Sequence, residues 1–201
     1  PIPNPQSPFP ACPILKVITL FIYYKYITME TLDFYDTKTI NDFKDKNVLV
    51  TGGRGGIGSE VVRAFYKLGG NIIVISRSEK EVEKELPELR KKDRLFAEIA
   101  NLENANNINR TFATVMKKFK GRLDNLIFCH GCFKVGKLVE TASDNFDSTI
   151  NINVRSVFHI LSMASPFLKI SQGNVVVVSS LESMIPVSDS FLNSVSKVSF
   201  L

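Results

Sequence analysis

The stretch Val48-Leu49-Val50-Thr51-Gly52-Gly53-Arg54-Gly55-Gly56-Ile57-Gly58 constrains this chain more than any other. Val48 to Val50 is an apolar run of the kind found in a parallel strand covered on both faces. Glycines then stand at 52, 53, 55, 56 and 58. Glycine reaches backbone angles that other residues avoid and lets the main chain approach a ligand closely. From Ile57 on, apolar side chains fall at 57, 61, 64, 65 and 68, a helical stripe, and Gly69-Gly70 predicts a left-handed stop. The spacing therefore predicts strand, tight turn and helix. A helix N-terminus presents free N–H groups and a positive dipole end, so a bound phosphate is stabilised there. A tight strand–helix turn needs glycine with or without a ligand. The legible strand before it and helix after it favour nucleotide binding.

The same alternation continues down the chain. Asn71 to Ile75 reads as a second strand, Arg94 to Ile99 as a third, Leu123 to Cys129 as a fourth and Val175 to Val178 as a fifth. Between them lie helical patterns. Glu79 to Lys92 is charged and is interrupted by Pro87. Residues 104–119 carry Ala105, Ile108, Phe112, Val115, Met116 and Phe119 at helical spacing. Asp144 to Leu168 predicts one long helix with Phe146, Ile150, Val154, Val157, Phe158 and Leu161 on its buried face, and Ser190 begins another. Strands alternating with helices predict an α/β fold, a doubly wound parallel sheet.

The chain of 201 residues is long enough for one domain with a sizeable core. Its net charge of +5 is spread among Glu and Asp, which argues against nucleic acid as a partner. Three cysteines, Cys12, Cys129 and Cys132, suit a reducing, cytoplasmic setting better than a disulfide scaffold. Residues 1–13 hold six of the nine prolines, and the apolar run 14–27 contains Lys16 and Lys25. A bilayer-spanning helix wants about 20 residues. The first Met is Met29. Residues 1–45 are accordingly read as an N-terminal extension outside the core, 1–28 above all, with membrane contact through 14–27 as the alternative.

The pattern Thr51-Gly52-x-x-x-Gly56-Ile57-Gly58 resembles the short-chain dehydrogenase/reductase family, and later residues extend the likeness. Gly173 to Ser180 is similar to the family's fifth strand and its Ser-Ser end. Ser180 lies 13 residues before Asn193, and Lys197 four after it, so Asn193-Ser194-Val195-Ser196-Lys197 resembles the family's Tyr-x-x-x-Lys with Asn in place of Tyr. The resemblance covers about 46–201 and implies a partial, Rossmann-like NAD(P)-binding domain, incomplete at its C-terminus. It implies hydride transfer between nicotinamide and a small carbonyl or alcohol substrate, and a homo-oligomer.

Residue by residue, the resemblance places Thr51, Gly52, Arg54, Gly56, Ile57, Gly58, Arg77, Asn101, Gly131 and Lys197 at the cofactor. Ser180, Asn153, Asn193 and Lys197 fall at the catalytic positions. After the second strand stands Ser76-Arg77 where an Asp or Glu would bind a ribose 2′-hydroxyl. A guanidinium suits a 2′-phosphate, so NADP is favoured over NAD, with Arg54 as a second positive charge. Asn101 either touches the adenine or serves as a turn residue. Of the family's Asn-Asn-Ala-Gly after the fourth strand only Gly131 survives, behind Phe128-Cys129-His130. Cys129-x-x-Cys132 with His130 lacks a fourth metal ligand, and no metal is expected. Asn153 falls near the buried face of its helix as a catalytic Asn, a structural one, or both. Asn193 is the consequential departure: an amide cannot exchange a proton near neutral pH as a phenol can. Weak or absent turnover is the expectation, and a non-catalytic nucleotide-binding or interaction protein is the alternative.

Overall fold

The β-branched runs assemble into one sheet. The computed structural model describes residues 42–87, 93–185 and 187–200; the N-terminal run 14–27 and the possible extension 1–28 lie outside them. The strands are β1 (Asn47–Thr51), β2 (Asn71–Ser76), β3 (Leu95–Ile99), β4 (Asn125–Phe128) and β5 (Asn174–Val177), in spatial order β3-β2-β1-β4-β5. Every pairing is parallel. The order reverses between β1 and β4, and a crevice opens outside the carboxyl ends of the strands at such a switch point. The doubly wound α/β expectation holds.

The helices are α1 (Gly56–Lys67), α2 (Glu79–Glu85), α3 (Ala105–Lys118), α4 (Ser143–Ile150), α5 (Ser156–Ser171) and α6 (Phe191–Val198). Strand side chains alternate between two cores. Leu49, Ile73, Ile75, Leu126, Phe128 and Val175 pack with Ile108, Phe112, Val115, Ile160 and Leu168 of α3 and α5. Val48, Val50, Ile72, Val74 and Ile127 pack with Val62 and Val82 of α1 and α2. Burying such side chains on both faces is the main driving force for folding. Ahead of β1, Phe43 sets its ring edge-on to Phe65 at 5.3 Å.

Local signals fix the helix ends. Gly69 takes φ +86. Its N–H donates to Tyr66 O and the Gly70 N–H donates to Phe65 O, a Schellman closure of α1. α2 stops at Glu85, at the expected interruption by Pro87: Leu86, preceding the proline, adopts φ −122 and ψ 75, and 88–92 lie outside the described residues.

The long helix differs most from expectation. Asn151–Arg155 forms a π turn between α4 and α5. The wider turn shifts the helical phase, so the buried stripe runs Thr149, Asn153, Ser156, Val157, Ile160, Ala164 and Leu168. Phe158, expected inside, is 71% exposed, and Phe146 is 40% exposed. Phe158 sits one step off the stripe that packs.

Candidate active site

The glycine turn is built by close approach. Gly52 has φ +70, and a Cβ there would lie 2.6 Å from the His130 backbone. A Cβ on Gly58 would lie 2.3 Å from the Gly52 carbonyl oxygen. These two positions require glycine. The Gly52 N–H donates to Ile75 O at 3.0 Å and the Gly55 N–H to Gly52 O at 3.0 Å, which ties the turn to β2 and to itself. α1 starts with no side-chain cap and no acidic residue in its first turn, so its first N–H groups and dipole end are turned to the crevice. Arg54, Gly55 and Gly56 are exposed there and Ile57 is half-buried.

Thr51 is a different matter: it is fully buried, and its hydroxyl meets His130 Nδ1 at 2.5 Å. The side chain is committed inside the fold, beneath the glycine turn. Arg54 Nε lies 3.4 Å from Glu81 Oε2. Arg77 follows β2 and is exposed. Asn101 acts as a turn residue: its Oδ1 accepts from the Glu103 N–H at 3.0 Å.

At the end of β4, His130 joins three elements. Nε2 lies 2.7 Å from Ser156 Oγ and 3.1 Å from Ile152 O. A carbonyl only accepts, so Nε2 carries the hydrogen and Nδ1 accepts from Thr51. Burial pushes the imidazole down to about 4, the Lys197 charge adds to the effect, and the bond to Ile152 O opposes it. The ring therefore clamps β1 to the π turn in its neutral form. Ser156 Oγ also donates to Ile152 O at 2.5 Å. Two side chains thus meet a carbonyl inside the π turn, a common cause of such irregular turns. Cys129 next to His130 has its thiol pushed up to about 12 by burial, against the pull of Lys197. Among the described residues no group of three or more His, Cys, Asp or Glu side chains could hold a metal ion.

The π turn carries Asn153 into the crevice wall at 1% exposure. Its Oδ1 accepts from the Cys132 N–H at 2.8 Å, and Nδ2 donates to Cys132 O at 3.0 Å and to Ser196 Oγ at 2.9 Å. The amide is satisfied, as a buried one must be, and it braces the loop after β4 against α6. Gly131 lies in front of it; a Cβ there would be 3.3 Å from Asn153 Oδ1 and 3.5 Å from Lys197 Nζ. Lys197 Nζ donates to Val178 O at 2.9 Å, and burial lowers its pKa from the usual lysine range.

After β5, Ser180 caps the short turn Leu181–Ser183, accepting from the Glu182 N–H at 3.3 Å. Asn193, 7% exposed on the first turns of α6, brings Nδ2 to 3.4 Å from Ser180 Oγ. The same Nδ2 donates to Glu182 Oε2. Ser180, Asn193 and Glu182 thus form one polar cluster, with Lys197 one turn along α6.

A family model described as short chain dehydrogenase matches residues 46–200. The chain belongs to that family. Two tropinone reductase homologs of Arabidopsis thaliana are 29% and 30% identical over 74% and 77% of this chain. An L-fucose dehydrogenase of Bos taurus is 29% identical over 69%. The chain spans 56%, 59% and 50% of the length of these relatives. A short-chain dehydrogenase/reductase structure from Brucella melitensis superposes with TM-score 0.72 at 24% identity, covering 78% of this chain and 65% of that one. One from Serratia marcescens superposes with TM-score 0.72 at 23% identity, covering 78% and 64%. Both show the fold.

Within this short chain dehydrogenase frame, the fold brings the glycine turn, Gly131, Asn153, Ser180, Asn193 and Lys197 to the carboxyl ends of β1, β4 and β5. Arg77 lies further out, beyond β2, and Asn101 beyond β3. Sequence reasoning overlooked Glu182. Its only linear signal is its place two residues after Ser180, which carries no weight until α6 folds back over it.

Proposed function

We propose that this chain binds NADP(H) and that its crevice carries reversible hydride transfer between a nicotinamide and a small carbonyl or alcohol. What supports the reading best is the convergence of Ser180, Asn193 and Lys197 on the crevice that the glycine turn opens. The residues present fit a dinucleotide. The bare start of α1 and the turn from Gly52 to Gly58 would hold the pyrophosphate. Gly131 leaves room that a Cβ would fill. Arg77, helped by Arg54, would pair with a 2′-phosphate, and Asn101 borders the adenine end. Lys197 would hold the nicotinamide ribose and Ser180 would orient the carbonyl. When bound, the dinucleotide supplies or accepts the hydride.

Asn193 favours a second reading, a nucleotide-binding protein with weak or no turnover, because its amide cannot give up a proton near neutral pH. Cytoplasmic placement and a homo-oligomer belong to the same proposal. No helix among the described residues is long and apolar enough to cross a membrane.

Equilibrium titration with NADPH and NADH is the test, on the wild type and Arg77→Ala. The expected result is tighter NADPH binding, weakened about tenfold by the substitution. That is the low end of the 1.5–3 kcal/mol of a charge-assisted bond, since Arg77 is exposed. Equal affinities would remove the NADP preference; no binding of either would remove the reading.

A further inference from the structure

We propose that Glu182 is the group that exchanges the proton in this crevice, taking the part that the amide of Asn193 cannot play. The proposal rests on the oxidoreductase reading above and names a residue that reading lacks.

Reducing a carbonyl leaves negative charge on oxygen, and a positioned acid must meet it. The titratable side chains around Ser180 are few. His130 is neutral and held at both ring nitrogens by Thr51, Ser156 and Ile152. Cys129 is buried, with its thiol held protonated. Lys197 Nζ is turned to the Val178 carbonyl. Cys132 Sγ is turned to Thr149 Oγ1. On 187–200, which packs over the Leu181–Ser183 turn, the ionisable residues are Asp189 and Lys197, and Asp189 is exposed and accepts from Ser188 Oγ. Glu182 is the carboxyl bonded to Asn193 beside Ser180.

Its position suits the task. The Glu182 N–H donates to Ser180 Oγ at 3.3 Å, so the residue begins at the serine. Its side chain meets Asn193 Nδ2, which itself stands 3.4 Å from Ser180 Oγ. Hydroxyl, amide and carboxyl form one cluster. Glu182 is half-buried, so its carboxyl can trade protons with solvent. Asn193 becomes a positioning residue: its amide holds Oε2 and fixes the rotamer, and Oε1 carries the exchangeable proton.

In the reducing direction Glu182 gives that proton to the substrate oxygen as the hydride from the reduced nicotinamide dinucleotide reaches the carbonyl carbon. The C=O π bond opens, one C–H and one O–H bond form, and the carboxylate recovers its proton from water. In the oxidising direction the carboxylate takes the alcohol proton.

The test uses para-nitrobenzaldehyde as the carbonyl probe, NADPH, and the wild type, Glu182→Gln and Glu182→Gln/Asn193→Tyr. Gln keeps an acceptor for the Asn193 amide, so the fold and NADPH affinity should stay within about twofold. The wild-type reduction rate should rise toward acid pH. Glu182→Gln should flatten that rise and lower turnover about 10²–10⁴-fold. The double variant should recover turnover with a limb moved to the phenol range. Binding of NADPH with unchanged turnover and pH profile in Glu182→Gln overturns this proposal alone. Binding without measurable wild-type turnover also overturns it and leaves the dinucleotide reading standing. No binding of NADPH overturns both.

Discussion

Gly58→Ala places a methyl group where the glycine turn folds back on the first turn of α1. The added carbon would lie 2.3 Å from Gly52 O, 2.9 Å from Gly53 Cα and 3.0 Å from the Gly52 carbonyl carbon. The first is more than about 1 Å inside an ordinary contact distance. All three are backbone atoms and cannot rotate away. To make room the turn must slide, at the expense of the Gly55 N–H to Gly52 O bond at 3.0 Å. Overpacking costs about 1–3 kcal/mol and the lost bond about 1 kcal/mol. The better helix propensity of Ala returns about 1 kcal/mol. The net loss is about 2 kcal/mol, which for a chain of this size lowers the melting temperature by about 4–8 °C. Gly55→Ala is the control: its Cβ would meet only Gly52 O, at 3.5 Å, from an extended backbone of φ −67 and ψ 162. Thermal melts followed by circular dichroism compare the two. A Gly58→Ala protein that melts with the wild type, or a Gly55→Ala protein that falls as far, refutes the packing argument.

His130 should make stability fall in acid. The folded imidazole, lowered to about 4 from 6.5, stays neutral while the unfolded one takes up a proton. The contribution is complete above pH 6.5 and is lost as pH drops toward 4, a gap of about 3 kcal/mol. Urea denaturation of the wild type and His130→Asn at the two ends of that window should show the wild type losing about that much more; parallel losses would contradict the assignment. The π turn gives a second comparison. Ile160→Ala should cost about 2–5 kcal/mol, since Ile160 is fully buried, and Phe158→Ala less than about 0.5 kcal/mol for the folded monomer. Similar costs for both would mean that Phe158 is packed after all.

The strands and their order were legible because β1, β2, β4 and β5 are covered on both faces and read as short apolar runs between turn signals. The glycine turn was legible for a related reason: close backbone approach leaves glycine little substitute. The phase of the long helix was not. A 3.6-residue period assumes an unbroken ladder, and at the π turn Ser156, four residues on, and His130 both reach Ile152 O; the His130 contact is made only once β4 packs on the helix. Thr51 matched the expected motif, yet its hydroxyl turns to His130, a residue 79 positions away. Glu182 escaped for the same reason. Its partner Asn193 is 11 positions on, and only the return of α6 brings the two together.

The central place of β1 has a consequence for the order in which the molecule can be assembled. Its contact with the start of β2 joins Asn47 and Asn71, 24 positions apart. Its contact on the other side joins Asn47 to Asp124, 77 positions apart. Closing the longer loop costs about 1 kcal/mol more in chain entropy. During synthesis β1 and β2 leave the ribosome well before β4 exists, so the left half of the sheet has both the easier and the earlier start. The crevice has one wall from each half. It is therefore the part of the molecule that is finished last, and it exists only when the chain has closed its costliest loop.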